Sequence, residues 1–348
     1  MDLRELSSLV SKGNHLSLEQ AYGSADALAS SAVDPADKAD FLTALARKGE
    51  VAAEVAGIAR RFRELARNPG LDEWRGSAID VCGTGGDKIG SFNISTTVTF
   101  ALAAAGVPVF KHGNRSITSK CGSANLLEAL GVHLTADDAT LRRSLDELGF
   151  CFMFAPAFHP AFKEIMPVRQ QLAAQGQRTV FNILGPLINP ARPAFQLLGV
   201  YSPQIVEIMA ETLVSLGLRG GIVAHCKLED GRGMDEITVS GVNRLQGFGT
   251  HAEFSAEMNA ADFGLAPAPI SDLLGGELED NLRILDQLLD GRAPQGLEST
   301  VIANVAAALF VVGRVGTIKE GVAGARDVLL GGATRQKISQ SKEFYSSL

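Results

Sequence analysis

The stretch "SAIDVCGTGGDKIGSFNISTTVTFALAAAG", residues 77–106, decides the fold. It opens on a short apolar run, "AIDV", crosses a loop of glycine, aspartate, asparagine and hydroxyl residues, and ends in a helix-length apolar segment. Strand, glycine loop and helix in that order are the unit of an α/β domain, whose polar loops at strand ends are where ligands sit. The texture continues downstream, with "VPVFKHG", "LLGVY" and "GGIVAHC" strand-like and "ANLLEALG" helix-like. In the last third, "DLLGGELEDNLRILDQLLDG", "TVIANVAAALFVVG" and "IKEGVAGARDVLLGG" read as helices packing on the sheet.

Upstream, to about residue 68, the pattern is helical instead. Ser17 with Gln20 forms a capping-box pair, and Asp34 before Pro35 reads as an N-cap with proline in the first turn; Gly49 is the matching stop. Val51, Val55, Ile58, Phe62 and Leu65 then make an apolar stripe closed by Pro69 and Gly70. The segment "ARNPGLDEW", residues 66–74, is the natural link between this helical unit and the α/β unit.

Composition narrows the function classes. A chain of 348 residues, 46% hydrophobic and 20% charged, has the material for one large domain or two unequal ones. Lys+Arg 32 against Asp+Glu 39 gives a net charge of -7, which argues against a broad nucleic-acid footprint. Cys82, Cys121, Cys151 and Cys226 form no CxxC pair, so neither a zinc knuckle nor a disulfide framework is expected, and reduced thiols fit a cytoplasmic protein. The longest nearly apolar run, "VTFALAAAGVPVF", is shorter than the roughly 18 residues of a spanning helix.

The glycine loop is not a common nucleotide motif. A dinucleotide fingerprint needs a third glycine where Lys88 stands, and the same lysine breaks the Walker spacing. What remains is glycine backbone that approaches a ligand closely, beside a helix N-terminus carrying Ser95, Thr96 and Thr97: an anion cradle suited to phosphate or pyrophosphate. Taken alone, a tight capped turn explains the glycines as well. "KHGNRSITSKCGSANLLEALG", residues 111–131, adds charge from Lys111 and Arg115 and hydrogen-bonding groups on Asn114, Ser116, Thr118, Ser119 and Ser123, which makes a second phosphate-handling loop; its bland alternative is solvated surface. Asp235 and Glu236, side by side in "LEDGRGMDEITVSG", are expected at a loop-to-strand transition where paired carboxylates hold Mg²⁺ together with phosphate oxygens; the bland alternative is an acidic turn.

Taken together and in order, "GTGGD", "NIST", "KHGNR", "GSAxxLEALG", "RTVFNILGPLINPARP", "LLGVY" and "MDEI" closely resemble the anthranilate phosphoribosyltransferase family, and the C-terminal "DLLGGELEDN" and "NVAAAL" extend the resemblance over nearly the whole chain. The resemblance implies a nucleoside phosphorylase/phosphoribosyltransferase-like architecture. In it, a helical domain of residues 1–68, with a returning segment near 164–184, joins an α/β domain of residues 69–348, and the chain is a homodimer through the helical part.

By the same resemblance, phosphoribosyl pyrophosphate is surrounded by Gly83, Gly86, Asp87, Ser91, Asn93, Ile94, Ser95 and Thr96 on the first loop. On the second it meets Lys111, His112, Gly113, Asn114, Arg115, Ser116, Ile117, Thr118, Ser119 and Ser123. Anthranilate is received by Gly83, His112, Asn114 and Arg169, and Mg²⁺ by Ser95, Asp235 and Glu236. The implied reaction displaces pyrophosphate from ribose C1 by the amine of anthranilate, with no acid–base residue required and Lys111 assisting by charge. The chain departs from the family at Asn125, where aspartate is usual, and in "QQLAAQGQ" after Arg169, which is a few residues longer than is common. A pyrimidine nucleoside phosphorylase is the enzyme rival, but its "KHSTGG"-like loop is missing. A nucleic-acid-binding relative without activity is the rival of another class, disfavoured by the acidic balance and the retained "DE" pair.

Overall fold

A computed structural model describes residues 2–115 and 120–348; Ser116, Ile117, Thr118 and Ser119 of the second loop lie outside the described residues. The N-terminal helices are α1 (Leu3–Ser11), α2 (Leu18–Ala29), α3 (Pro35–Lys48) and α4 (Ala52–Glu64). Their caps are those the local sequence dictates. Ser17 Oγ accepts the Gln20 N–H at 3.2 Å while Gln20 Oε1 accepts the Ser17 N–H at 2.8 Å, and Asp34 Oδ1 accepts the Ala36 N–H at 2.8 Å ahead of Pro35. Gly49 ends α3 with φ +88°. Val55, Ile58 and Phe62 are buried, with Val51 and Leu65 flanking α4 as its caps. α4 lies tightly on α2, since a Cβ at Gly57 would fall 2.5 Å from the Leu18 carbonyl oxygen.

The core of this unit is completed from far along the chain. Ile165, Val168, Leu172 and Phe181 pack with Phe41, Leu45 and Phe62, and the helix Met166–Ala174 lies against α3. Buried Lys38 donates to the carbonyls of Ser30 (2.7 Å) and Glu164 (3.2 Å), tying α3 to the returning chain.

The α/β unit is built on an eight-stranded sheet. Its strands are β1 (Ile79–Gly83), β2 (Val109–Gly113), β3 (Phe150–Phe154), β4 (Phe195–Gly199), β5 (Gly220–Leu228), β6 (Gly233–Met234), β7 (Gly241–Gly249) and β8 (Ser255–Met258). The order is β3-β2-β1-β4-β5-β7-β8, parallel from β3 to β5 and antiparallel beyond, with β6 also antiparallel on β5. From β1 the chain crosses over to β2, and from β4 to β5 on the opposite side. The neighbouring C-terminal ends of β1 and β4 therefore form the switch point at which open α/β sheets bind ligands. Ile94–Ala104 and Gln295–Val311 are apolar nearly all round, as befits helices buried between sheet and outer helices.

Strands β3, β6, β7 and β8 go beyond the sequence expectation. β3 follows a helix with a single-residue break at Gly149, and β7, with Gly241, Gly247 and Gly249, lacks strong strand propensity; pairing with β5 over nine registered residues holds it in place. Asp235 and Glu236 also differ from expectation, because they leave the two-residue β6 rather than lead into a strand. No helix among the described residues is long and apolar enough to cross a membrane.

Candidate active site

Gly83 and Gly199, the last residues of β1 and β4, are paired in register. Asp235 lies across both. A Cβ at Gly199 would fall 1.6 Å from the Asp235 carbonyl oxygen, and one at Gly83 2.3 Å from Asp235 Oδ2. No side chain fits at either strand end, which is the physical reason for glycine there. Asp235 Oδ2 accepts the Gly85 N–H at 2.6 Å. The Asp235 carboxyl is pushed well above the usual carboxylate range by burial and then by the charges of Asp87 and Glu236. Glu236 is pushed up to about 7 by burial, against the opposing pull of Lys111 and of the Ser95 N–H. Asp87 Oδ2 is buried with no hydrogen-bond partner among the described residues. Asp87, Asp235 and Glu236 thus raise one another's electrostatic cost with little compensating charge.

That compensation comes from Lys111. Its Nζ, deep on β2, donates to the Val81 carbonyl at 2.6 Å and to Ser95 Oγ at 2.9 Å, and burial lowers its pKa. Ser95 sits in the first turn of the helix Ile94–Ala104, so the helix N-terminus, the lysine and the carboxylates meet. Ile94 is buried, and the buried Thr96 hydroxyl has no partner among the described residues. The glycine loop is pinned from outside: Phe92 N–H donates to the Leu273 carbonyl and Gly275 N–H to that of Gly90, both at 2.9 Å, beside a bridge between Ser91 and Leu274. Asn93 Nδ2 donates to Asn281 Oδ1 at 3.0 Å, and Arg178 donates to the Gly86 carbonyl at 2.8 Å.

The second loop follows β2. Gly113 leaves room for Ser123, whose Oγ would lie 2.5 Å from a Cβ there. Asn114 Oδ1 accepts the Arg115 N–H at 2.7 Å, and the Arg115 guanidinium is held by Glu128 at 2.8 Å. Asn125 Oδ1 accepts the Gly122 N–H at 3.2 Å, the local acceptor task that an aspartate would also perform.

The sequence agrees with this geometry. The glycosyl transferase family a/b domain matches residues 75–335 and the glycosyl transferase family helical bundle domain residues 5–66. Anthranilate phosphoribosyltransferase of Aeromonas hydrophila is 42% identical over 93% of this chain and 92% of its own. That of Roseiflexus sp. (strain RS-1) is 41% identical over 98% of this chain and 97% of its own. The chain belongs to the anthranilate phosphoribosyltransferase family. The crystal structure of the Thermus thermophilus anthranilate phosphoribosyltransferase superposes with a TM-score of 0.89 at 39% identity, covering 98% of this chain and 99% of that one. The Saccharomyces cerevisiae enzyme, in complex with PRPP and Mg, shares the fold at TM-score 0.84 and 22% identity, covering 99% of this chain and 98% of that one.

Within an anthranilate phosphoribosyltransferase framework, a run of contacts leads away from Lys111 to Arg169. His112 is buried next to Lys111, and its Nε2 lies 3.1 Å from His159 Nε2. Burial and the neighbouring ring hold His112 well below the usual imidazole value, and burial takes His159 to about 4, so the pair is neutral near pH 7. His159 stacks edge-on against Phe162 at 5.5 Å. The Arg169 guanidinium lies 5.6 Å from the Phe162 ring centre and 5.1 Å from that of Phe181, with Met166 Sδ at 3.6 Å as its polar contact. Its pKa is lowered by burial, and it forms no ion pair among the described residues. It is a half-buried cation poised between aromatic rings, chemistry that suits an aromatic carboxylate.

Sequence reading does not single out Asn281, Arg178 or His159. Asn281 lies in "LEDN", where nothing local marks an asparagine that reaches back to Asn93; its Oδ1 accepts from Asn93 while its Nδ2 donates to the Gly276 and Glu277 carbonyls. Arg178 opens the motif "RTVFNILGPLINPARP" without any sign of its partner, and His159 carries no spacing signal.

Proposed function

We infer that this chain transfers the phosphoribosyl group of 5-phosphoribosyl 1-pyrophosphate to the amino group of anthranilate, giving N-(5-phosphoribosyl)anthranilate and pyrophosphate, a step of tryptophan biosynthesis. The observation that carries the reading is the convergence of Lys111, the helix N-terminus at Ser95 and the Asp87–Asp235–Glu236 carboxyls at the β1/β4 switch point, linked through His112, His159 and Phe162 to Arg169. The C1–O bond to pyrophosphate breaks as the C1–N bond forms, and the proton of the resulting ammonium is released to solvent. An aryl amine is nucleophilic as it stands, and a pentose C1 passes through an oxocarbenium-like state, so the demand on the protein is orientation and charge neutralisation.

In this reading the phosphates of the donor rest on the amides of Gly83, Gly86 and Asp87 and on Ser91, Asn93, Ser95, Thr96 and Lys111. Asn114 and Ser123 of the second loop also meet the donor, and Gly83 and Asn114 meet anthranilate. Arg169 binds the anthranilate carboxylate, while neutral His112 lines its approach without adding a competing charge.

Mg²⁺ fits the residues present. Asp235, Glu236 and Ser95 are hard oxygen donors, the carboxyls are under-compensated, and the buried Asp87 Oδ2 has no partner among the described residues. When bound, the ion would neutralise charge developing on the departing pyrophosphate. The proposal includes a division into residues 1–68 with the segment near 164–184 and residues 69–348, which the packing of Ile165, Val168 and Leu172 into the helical core supports, together with a cytoplasmic location and a homodimer through the helical unit. Light scattering at micromolar concentration is expected to give twice the monomer mass, and a monomer mass at every concentration would exclude the dimer.

The test of the activity is direct. Anthranilate fluorescence is followed after addition of phosphoribosyl pyrophosphate and Mg²⁺; its loss is expected, and unchanged fluorescence with both co-substrates saturating would rule the reaction out.

A further inference from the structure

A second charged site lies at the opposite end of the sheet. A cavity of about 210 Å³ opens where the chain enters β4 and β5, lined by Arg75, Arg192 and Arg219 of the α/β unit and by Arg63 of α4. Since β4 runs five residues, about 17 Å, from this end to Gly199, the cavity is remote from the catalytic loops. Arg63 is only 6% exposed. Its Nε donates to the Leu187 carbonyl and its Nη1 to that of Leu216 at 3.4 Å. Arg75 Nε donates to the Arg192 carbonyl at 3.1 Å, and the Arg219 guanidinium stands 5.5 Å from the Phe195 ring centre.

None of these four guanidinium groups takes part in an ion pair among the described residues. Asp72 is the one acidic residue lining the cavity, and it too forms no ion pair there. The arginines repel one another: burial, and then the charges of Arg192 and Arg75, bring Arg63 down to about 9. Arg192 holds a left-handed backbone, φ +51°, that a non-glycine residue rarely adopts. Other exposed arginines of this protein do find carboxylates, as Arg67 does with Asp138 and Arg142 with Glu73. A cluster of unpaired, mutually repelling guanidinium groups around a buried one is organised for a ligand that brings the missing negative charge.

We propose that this cavity binds a phosphate-bearing anion at the junction of the helical and α/β units, separate from the catalytic loops. Guanidinium forks match phosphate oxygens two at a time, which is why the class is phosphate rather than a lone halide. The volume falls below the roughly 300–1,000 Å³ of pockets for drug-sized ligands and suits one phosphate or diphosphate group. Because Arg63 belongs to the helical unit and its partners to the other, the bound anion ties the two together. The inference stands on this cavity alone and does not depend on the assigned reaction.

Calorimetric titration of the full chain with inorganic phosphate, and separately with ribose 5-phosphate, tests it. Mg²⁺ is omitted and ionic strength is held constant with chloride. The parent is compared with an Arg75→Glu/Arg219→Glu double variant, whose changed side chains are exposed and outside the catalytic loops. Saturable binding by the parent and at least a tenfold loss of affinity in the double variant are expected, with turnover in phosphate-free buffer within twofold. Tighter binding of one ligand identifies free or esterified phosphate as the natural occupant. Equal affinity in parent and variant would place the phosphate in the catalytic loops and overturn the proposal, as would heat that chloride alone reproduces.

Discussion

The charge state of Glu236 depends on what shares its site. Its folded value of about 7 against an ordinary 4.5 means that the folded chain holds more protons than the unfolded one between those values. Stability from this group therefore falls as pH rises from about 4.5 through 7, and the full penalty is present above 7. A divalent cation reverses the penalty only where the carboxylate is ionised. The rise in melting temperature caused by Mg²⁺ is expected to be larger at pH 8 than at pH 6, and to shrink in Glu236→Gln or Asp235→Asn. Differential scanning fluorimetry with and without Mg²⁺ checks this, and a Mg²⁺ effect equal at both pH values and in the variants would detach the pair from the metal. Arg169, a cation without a carboxylate, carries the second prediction at this scale. Arg169→Ala is expected to raise the KM for anthranilate about 10- to 150-fold, as loss of a charge-assisted bond of about 1.5–3 kcal/mol implies, with the KM for the phosphoribosyl donor little changed. Equal effects on both constants would remove Arg169 from the carboxylate.

Among the elements, the glycine loop owes its shape to a partner far along the chain. Asn281, in the first turn of the helix Leu278–Leu289, accepts from both the backbone N–H and the side chain of Asn93 at the start of the Ile94–Ala104 helix. The side chain of Asn281 is buried, so its removal leaves Asn93 groups unsatisfied, at about 1–3 kcal/mol. Asn281→Ala is expected to lose that stability in urea unfolding and to raise the KM for the donor, because the N-terminal turn bearing Ser95 is no longer held. Asn281→Asp, which keeps the acceptor oxygen but not the donor, is expected to recover part of the donor KM; failure of both variants to affect it would confine Asn281 to folding.

For the whole molecule, Arg178 is the bridge. It follows the helix Met166–Ala174, whose apolar face belongs to the helical core, and it donates to Gly86 while its guanidinium stacks 3.9 Å from the Tyr201 ring centre beyond β4. One side chain thus joins the helical unit, the glycine loop and the end of the sheet. Arg178→Ala is expected to speed amide exchange across residues 84–90 without changing exchange in the buried Gln295–Val311 helix. Exchange that rises uniformly would mean global destabilisation, and exchange that does not rise would mean that the loop is held by Leu273 and Gly275 alone.

The sequence by itself determined what depends on neighbours a few residues away. The capping box at Ser17 and Gln20, the Asp34–Pro35 start of α3 and the strand–glycine loop–helix order around Gly83 and Ser95 were all legible, because hydrogen-bond caps, periodicity and positive-φ turns are satisfied locally. Motif order was legible too, and it pointed to the family. The tertiary structure alone decided what depends on strand order. Asp235 reaches Gly85 across a separation of 150 residues, and Asn93 meets Asn281 across 188. Such contacts follow from which strands are adjacent and which strand ends must stay free of side chains, and no local period records either. The same holds for the glycine-bearing β7, which pairing stabilises where propensity does not, and for the Arg63 cavity. Its arginines sit in four separate segments, each unremarkable in sequence, and become a cluster only when the helical unit docks at the base of the sheet.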